Sequence, residues 1–292
     1  MPLDQDPIEE GPEKELEKEM SFLDHLEELR WHIVRAMFAV VAFTIFAFFS
    51  APWIFENIVF APARASFATF QWMCNLGQLF GSQGLCIESI PFKIQSRLMT
   101  GQFSMHLVAS FTIGLIISFP YVIWEIWRFI KPGLYIRERK YSRGAVFSIS
   151  LLFITGVLFG YYVLAPLMIY FLATYSISDL IVNEFDITSY VSTIVTMVFG
   201  AGLLFQLPVV IYFLTKMGIV SPSLLRKYRK HSIVAILIIA AVVTPPDPIS
   251  QTLIAIPLYF LFEISIMIAS RVEKAKLKEE ELEKLKDQQS AI

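Results

Sequence analysis

The chain has 292 residues, 55% of them hydrophobic, and a mean hydropathy of +0.59. A soluble domain this apolar would aggregate, so the composition excludes an ordinary soluble protein and predicts a multi-span membrane protein. The formal net charge of −2 says little about partners, and we expect no nucleic acid among them.

The N-terminal segment is polar and acidic, so we expect residues 1–20 to be disordered. It lacks the basic and then apolar pattern of a cleavable signal peptide. From Ser21, "SFLDHLEELRWHIVRA" places apolar residues at helical spacing and acidic residues on the other face. This pattern predicts an amphipathic helix on the cytoplasmic surface, before the chain turns into the first span. A simple membrane anchor is the alternative, but anionic lipids at that surface favour basic residues over acidic ones.

Long stretches without charge predict the membrane spans. Four of them are residues 36–55, 103–124, 145–178 and 187–215. Each exceeds or matches the about 20 residues that a helix needs to cross a bilayer. A fifth run, 232–243, has only twelve residues, and a sixth, 251–270, contains one acid, Glu263. We therefore expect six transmembrane helices and an all-α fold, because lipid offers no partner for an open backbone.

The Lys and Arg residues alternate between the connecting segments. From the N-terminus to the C-terminus the segments carry four, three, six, none, five, none and six of them. Because basic segments stay in the cytoplasm, both termini and the second and fourth loops are predicted to be cytoplasmic. A bacterial cytoplasmic (inner) membrane is the expected location.

Proline residues should bend four of the spans. Pro120, Pro166, Pro208 and Pro257 lie within or near the ends of spans two, three, four and six. Each removes a backbone hydrogen bond. A bundle of bent helices tends to leave a concave surface rather than a tight cylinder.

The first outward loop is about fifty residues long, too long for a simple connector, and we expect short interfacial helices in it. It contains the two cysteines of the chain, Cys74 and Cys86. A chance pair is one interpretation. An oxidising exterior favours a disulfide between them.

The second loop, "RFIKPGLYIRERKYSR" from Arg128 to Arg143, carries six basic residues and a single acid, Glu138. We interpret this carboxylate as the receptor of a positively charged group. A guanidinium prefers a planar carboxylate that accepts two hydrogen bonds. Two arginines require two acids, and Glu28 is the second candidate on the same side of the membrane.

Polar residues inside the spans are few: Gln206, Asp247 and Glu263. Such groups are costly and require partners. Gln206 could serve only as a polar contact between helices. After the short fifth span, the turn "TPPDPISQ" carries Thr244 and Gln251 at a depth where lipid would leave them unpaired. We therefore expect a partner helix to dock there.

No nucleotide-binding, dinucleotide-binding or metal-ligand motif is found in the sequence. We expect no enzymatic activity, no metal and no cofactor. Any energy source must be external, such as an ion gradient or a partner protein.

Four segments in order resemble one family. "FLDHLEELR", "WRFIKPGLYIRERK", "FGAGLLFQLPV" and "TPPDPISQTLIAIPLYFLFEI" are similar to segments of the TatC family, the multi-span subunit of the twin-arginine (Sec-independent) protein translocase. The resemblance covers residues 21–270 and implies a concave cup of six bent helices. The acidic residues 1–20 and a charged cytoplasmic tail, 271–292, lie outside it.

The resemblance implies a function as well. The family binds twin-arginine signal peptides of folded cargo proteins and moves the cargo across the membrane with the proton-motive force. Its partners are the single-span proteins TatA and TatB, further copies of itself, and membrane lipids. The matching site residues for the signal peptide are Glu28, Arg30, Phe129 and Glu138. Those for the partner subunits are Thr244 and Gln251.

One position departs from the family. Many members have a glutamate where this chain has Gln206, and glutamine cannot titrate, so a proton-linked role there is doubtful. The alternative function for the whole chain is a secondary transporter or channel for a small solute. Such a protein would concentrate ionisable residues at the middle of the membrane, whereas this chain places them at the cytoplasmic rim.

Overall fold

The computed structural model describes residues 22–81, 84, 86–130, 142–178, 180–243 and 248–290. Helices make up most of it. The α-helices are α1 Phe22–Phe49, α2 Ala51–Ile54, α3 Ala68–Leu79, α4 Gly101–Ile130, α5 Ser142–Phe159, α6 Ala165–Thr174, α7 Ile187–Leu204, α8 Leu207–Lys216, α9 Pro222–Lys227, α10 Arg229–Val243 and α11 Pro248–Ser290. Two π-helical segments (Phe55–Val59 and Gly160–Leu164), one 3-10 turn (Ala61–Ala63) and two strands, β1 Lys93–Gln95 and β2 Glu184–Asp186, complete the described elements.

Within these described ranges, five helical stretches are long and apolar enough to cross a membrane. They are Glu27–Phe49, Gly101–Ile130, Gly144–Thr174, Ile187–Lys216 and Gln251–Lys278. They correspond to five of the six predicted spans. The predicted fifth span is α10, which is helical but has only 15 residues. At 1.5 Å per residue it is shorter than a hydrocarbon core of about 30 Å.

The N-terminal prediction was wrong in one respect. The amphipathic segment does not lie as a separate helix before the first span, because α1 runs without interruption for 28 residues. No glycine or proline occurs within Phe22–Phe49 to break it. The acidic residues of this segment therefore stand on the first turns of a spanning helix.

The expectation of a purely helical fold was also incomplete. Strands β1 and β2 pair in parallel, with Lys93 opposite Glu184 and Gln95 opposite Asp186. The Asp186 carboxylate also caps α7, accepting hydrogen bonds from the hydroxyl and the backbone N–H of Thr188. The hydrogen bond from the Thr188 hydroxyl lowers the pKa of the Asp186 carboxyl most. The backbone N–H groups of Arg97 and Thr188 also donate to this carboxylate and lower its pKa further.

Two of the predicted proline effects are visible as interruptions. The third span consists of α5, the π-helical segment Gly160–Leu164 and α6, with Pro166 at the start of α6. The fourth span breaks between α7 and α8, two residues before Pro208. Pro120 and Pro257 lie inside α4 and α11, which continue past them.

Three other helices compensate for three prolines. A proline has no N–H, so the carbonyl four residues before it loses its helical donor. In each case a side chain from another helix donates to that carbonyl instead. For Pro52, the His106 ring donates to the carbonyl of Phe48. For Pro62, the Tyr161 hydroxyl donates to the carbonyl of Ile58. For Pro166, the Thr69 hydroxyl donates to the carbonyl of Tyr162. The first of these bonds joins α1 to α4, and the other two attach the first loop to the third span.

Helices α1 and α4 pack antiparallel along most of their length. At Gly114 the two backbones approach so closely that a Cβ there would lie 2.5 Å from Thr44 Oγ1 and 2.6 Å from its backbone nitrogen. Toward the first loop, the His106 ring stacks on Phe48 with centroids 4.0 Å apart. At the opposite end, which we call the basic end, the first turns of α1 meet the last turns of α4. This close packing brings the polar residues of the two helices together there.

Candidate functional site

A buried carboxylate and a buried imidazole meet at the basic end. His32 of α1 and Glu125 of α4 are 5% and 1% exposed, and His32 Nδ1 lies 2.5 Å from Glu125 Oε2. Buried ionisable groups are costly unless they are paired and hydrogen-bonded. The two residues are 93 positions apart in the chain, so only the antiparallel packing of α1 and α4 joins them.

The Glu125 carboxylate has further partners on its own helix. The Tyr121 side chain, one turn earlier, hydrogen-bonds to it. Arg128, one turn later, places Nη1 3.8 Å from Glu125 Oε1 and its guanidinium 5.3 Å from the centre of the Trp124 ring. Glu125 is therefore held by groups of both helices and is not open to an additional ligand without displacing one of them.

Glu28 lies one turn before His32 on α1 and is only partly paired. Its Oε1 is 4.0 Å from His32 Nε2, beyond hydrogen-bonding distance. Its Oε2 is buried and accepts no hydrogen bond from any residue that the structure describes. A buried carboxylate oxygen without a donor is energetically unfavourable, and a cationic donor would relieve it.

The structure brings two of the four predicted receptor residues into this cluster. Glu28 lies one turn before His32, and the ring centroid of Phe129 is 6.4 Å from that of His32. Arg30 is exposed, and its guanidinium lies 5.5 Å from the Trp31 ring centre. Glu138, predicted to be the second receptor carboxylate, lies outside the described residues.

Sequence reasoning missed His32 and Glu125. Glu125 follows directly on the charge-free run 103–124 and resembled the ordinary charged boundary of a span. His32 is one of four histidines with no shared motif. The available signal was helical spacing: Glu28 and His32 are four residues apart, and Glu125 and Arg128 are three apart, so each pair shares a helix face.

The predicted intramembrane residue Gln206 stands at the break between α7 and α8. Its Nε2 donates to the carbonyl of Ile149 in α5 at 3.2 Å. Its Oε1 is buried and has no donor among the residues described. The amide thus joins two spans, which is the polar contact between helices that the sequence left open.

Glu263 of α11 pairs with Arg229 at the start of α10. Arg229 Nη2 lies 2.9 Å from Glu263 Oε2, and the Tyr259 hydroxyl donates to Oε1 at 3.2 Å. This pair joins the short helix α10 to its longer neighbour. A structural role for Glu263 follows directly from these contacts.

The predicted partner strip is only partly described. Thr244 and Asp247 lie outside the described residues. Gln251 was expected to lack a partner, but its Nε2 donates to the carbonyl of Leu237 in α10 at 3.1 Å. That part of the reasoning was wrong, because α10 and the start of α11 fold back on each other and supply the acceptor.

The two cysteines of the first loop are joined. Cys74 lies near the end of α3, and a disulfide links it to Cys86, twelve residues later. The bond closes the segment after α3 into a small loop on the side of the bundle opposite the basic end.

A family model described as "Sec-independent protein translocase protein (TatC)" matches residues 24–257. The TatC protein of Blattabacterium sp. subsp. Periplaneta americana (strain BPLAN) is 40% identical over 265 residues, which are 90% of this chain and 100% of that relative. The TatCy protein of Bacillus subtilis (strain 168) is 33% identical over 252 residues, 86% of this chain and 89% of the relative.

Solved structures agree. One described as "Crystal Structure of Twin Arginine Translocase Receptor- TatC" superposes with a TM-score of 0.66 at 28% identity, covering 85% of this chain and 99% of that one. A second, of the same receptor in DDM, gives 0.67 at 29% identity, with 84% and 99% covered. The chain therefore belongs to the TatC family of Sec-independent protein translocase proteins and is a multi-pass membrane component of protein transport.

Proposed function

We propose that this TatC-family chain is the twin-arginine signal-peptide receptor of its translocase and that it exports folded proteins across the bacterial cytoplasmic membrane, driven by the proton-motive force. The observation that carries the proposal is Glu28 Oε2, a buried carboxylate oxygen with no donor in the described part of the chain. It lies at the basic end of the bundle, one turn before His32, whose ring centroid is 6.4 Å from that of Phe129.

The chemistry of this position suits an arginine side chain. A guanidinium has five N–H donors and binds carboxylates through two parallel hydrogen bonds. Glu28 offers one oxygen that has no donor among the described residues and a second that lies 4.0 Å from His32 Nε2. Phe129 adds an aromatic ring on which the apolar stem of an arginine could pack. Glu138 is the proposed carboxylate for the second arginine.

The proposed topology has six spans with both termini in the cytoplasm. Five helical stretches are long enough to cross a membrane, and the proposal takes the 15-residue helix α10 as the sixth crossing. The alternation of Lys and Arg between segments supports a cytoplasmic basic end. Glu28 would then face the compartment from which a signal peptide arrives.

The outer face of α10 is the proposed contact for TatA- and TatB-like single-span proteins. One side of α10 packs into the bundle through Ile236 and Ala240. Its opposite side exposes Val234, Ile238 and Val242. A helix too short for the bilayer leaves a thin edge that a partner helix would cover.

Binding of a signal peptide to the purified full-length protein tests the receptor role. The peptide carries a paired-arginine motif and a fluorescent label, and its affinity is measured by anisotropy in detergent. The variant is Glu28→Gln, which keeps the shape of the side chain and removes its charge. Loss of one charge-assisted hydrogen bond, about 1.5–3 kcal/mol, should weaken binding by about ten- to a hundredfold.

Glu27→Gln is the matched control. Glu27 is the neighbouring acid on α1 and is exposed, so its loss should leave the affinity nearly unchanged. Equal affinities for the wild type, Glu28→Gln and Glu138→Gln would remove the carboxylate receptor. Equal losses in Glu27→Gln and Glu28→Gln would indicate a general effect of surface charge instead.

A further inference from the structure

The cluster that surrounds Glu28 has an asymmetric arrangement. His32 uses Nδ1 to contact Glu125 at 2.5 Å, and this bond fixes the orientation of the ring. The other ring nitrogen, Nε2, therefore faces Glu28 on the preceding turn, 4.0 Å from its Oε1. Since Glu125 and His32 are both buried, the ring cannot turn away from Glu28 without breaking a buried hydrogen bond.

We infer that His32 is a positioning residue for the receptor carboxylate Glu28. When the signal peptide binds, one of its arginines becomes the cation beside Glu28 in place of the protonated His32 ring, which loses its Nε2 proton. Binding of the peptide is thereby linked to release of a proton from the site. The inference rests on the proposed receptor function. It adds a residue and a proton-linked step that act before any transport.

The two protonation states of His32 have different effects on Glu28. In the neutral ring the proton stays on Nδ1, where Glu125 accepts it, and Nε2 presents a lone pair toward the Glu28 carboxylate. In the imidazolium both nitrogens carry protons, and Nε2–H provides a cation that Glu28 can pair with. The Nε2 proton therefore competes with an incoming guanidinium for the same carboxylate.

Repulsion between like charges reinforces this competition. A guanidinium on Glu28 would lie within a few ångströms of the ring, at a partly buried position where charges are weakly screened. The arginine-bound site therefore favours the neutral ring, and the Nε2 proton passes to water. Histidine is the side chain that ordinarily gains and loses a proton between about pH 5 and 8.

Other ionisable groups face this cluster from both helices. Glu28 and Arg35 belong to α1, with Arg35 Nε donating to the carbonyl of Trp31. Tyr121, Glu125 and Arg128 belong to α4. Arg128 contacts Glu125 and keeps its charge at all relevant pH values, so it balances Glu125 in both states of His32. Of the described groups around Glu28, His32 is the one imidazole, the side-chain type whose ordinary pKa lies nearest to neutral pH.

The test measures how peptide affinity depends on pH. The full-length protein in detergent is titrated between pH 5.5 and 8 with a paired-arginine peptide that has no titratable group in that range. Wild-type affinity should rise with pH, approaching tenfold for each pH unit at the acidic end, as expected for release of one proton. Calorimetry in buffers with different ionisation enthalpies should detect up to about one proton released per bound peptide at acidic pH.

Two variants separate this linkage from a purely structural role. His32→Asn retains a donor for Glu125 and has no group that titrates, so its affinity should show no pH slope and no proton release. His32→Arg carries a permanent charge and should bind more weakly than His32→Asn at pH 8, also without a slope. His231→Asn changes an exposed histidine of α10 and should keep the wild-type slope.

The outcomes distinguish this inference from the receptor proposal. A wild type that prefers paired arginines over paired lysines but shows no pH slope would overturn the linkage and leave the receptor intact. An unchanged slope in His32→Asn would overturn it as well. A wild type that fails to discriminate arginines from lysines at any pH would remove both proposals. The wild-type proton count requires no variant, so misfolding of a variant cannot obscure the result.

Discussion

Replacing Tyr161 with Phe tests the hydrogen bonds that compensate for proline in this fold. The change removes one hydroxyl group and retains the ring. In the structure that hydroxyl donates to the carbonyl of Ile58 at 2.9 Å. The usual helical donor would be residue 62, but Pro62 has no N–H. The variant therefore leaves the Ile58 carbonyl without the Tyr161 donor, and its own helix cannot supply another at residue 62.

The expected magnitude follows from the position of this bond. The bond is partly buried, and leaving such an acceptor without a donor costs about 1–3 kcal/mol, more than the loss of an exposed hydrogen bond. The Tyr161 ring also packs edge-on against Phe67, with centroids 5.5 Å apart, and that contact remains in the variant. The free energy of unfolding should therefore fall by about 1–3 kcal/mol, with no contribution from a cavity.

The assay is reversible SDS-induced unfolding of the full chain in mixed micelles. Tyr162→Phe is the matched control, because this neighbouring ring is half-exposed and its loss of a hydroxyl should change stability little. Pro62→Ala restores an N–H near Ile58, so Tyr161→Phe should cost less in the Pro62→Ala background. Equal costs for Tyr161→Phe and Tyr162→Phe, or no coupling with Pro62→Ala, would refute the reasoning.

Two further predictions concern opposite sides of the molecule. Mass spectrometry without reductant should show Cys74 and Cys86 as a linked pair. Reduction of this disulfide should destabilise the protein by about 3 kcal/mol on the chain-entropy model. Free thiols that react under native conditions would contradict this prediction. Cysteines placed along α10 should crosslink to the transmembrane helix of a TatA- or TatB-like protein, and the variant Thr244→Val should reduce the yield. Crosslinks found only on another span, or undiminished in Thr244→Val, would refute docking at this edge.

The sequence was most informative where lipid acts as the solvent. A charge-free run must form a helix in the membrane, so the five long spans could be identified without structural information. The short length of α10 could be read in the same way, from the charge-free run of only twelve residues, 232–243, before Pro245. The prolines predicted where helices would be interrupted in spans three and four. They did not reveal which side chains would donate to the carbonyls that the prolines leave unpaired.

The contacts at the site could not be read from the sequence. His32 and Glu125 pair across 93 residues, and nothing local to either one specifies the other. The pairing depends on how closely α1 and α4 approach at Gly114, which is a property of the packed helices. The strands β1 and β2 were missed because each has three residues, too few to show a periodic pattern.

The prediction for Glu28 had a different basis, and its receptor role stays a prediction. An acid on a basic membrane surface is conspicuous in composition alone, and the structure adds that one of its oxygens is buried and lacks a donor among the described residues. The contribution of His32 to this site could be recognised only from the structure. Its role follows from which of its two ring nitrogens faces Glu28.

Photocrosslinking of a signal peptide to the full-length protein tests the central claim most directly. A photoreactive residue is placed next to the paired arginines, and the crosslinked positions are mapped by mass spectrometry. The receptor proposal predicts crosslinks to the basic end, within residues 27–35 of α1 and 125–130 of α4. It also predicts that these crosslinks disappear when paired lysines replace the arginines. Crosslinks of equal yield from both peptides, or crosslinks confined to other parts of the chain, would contradict the proposal.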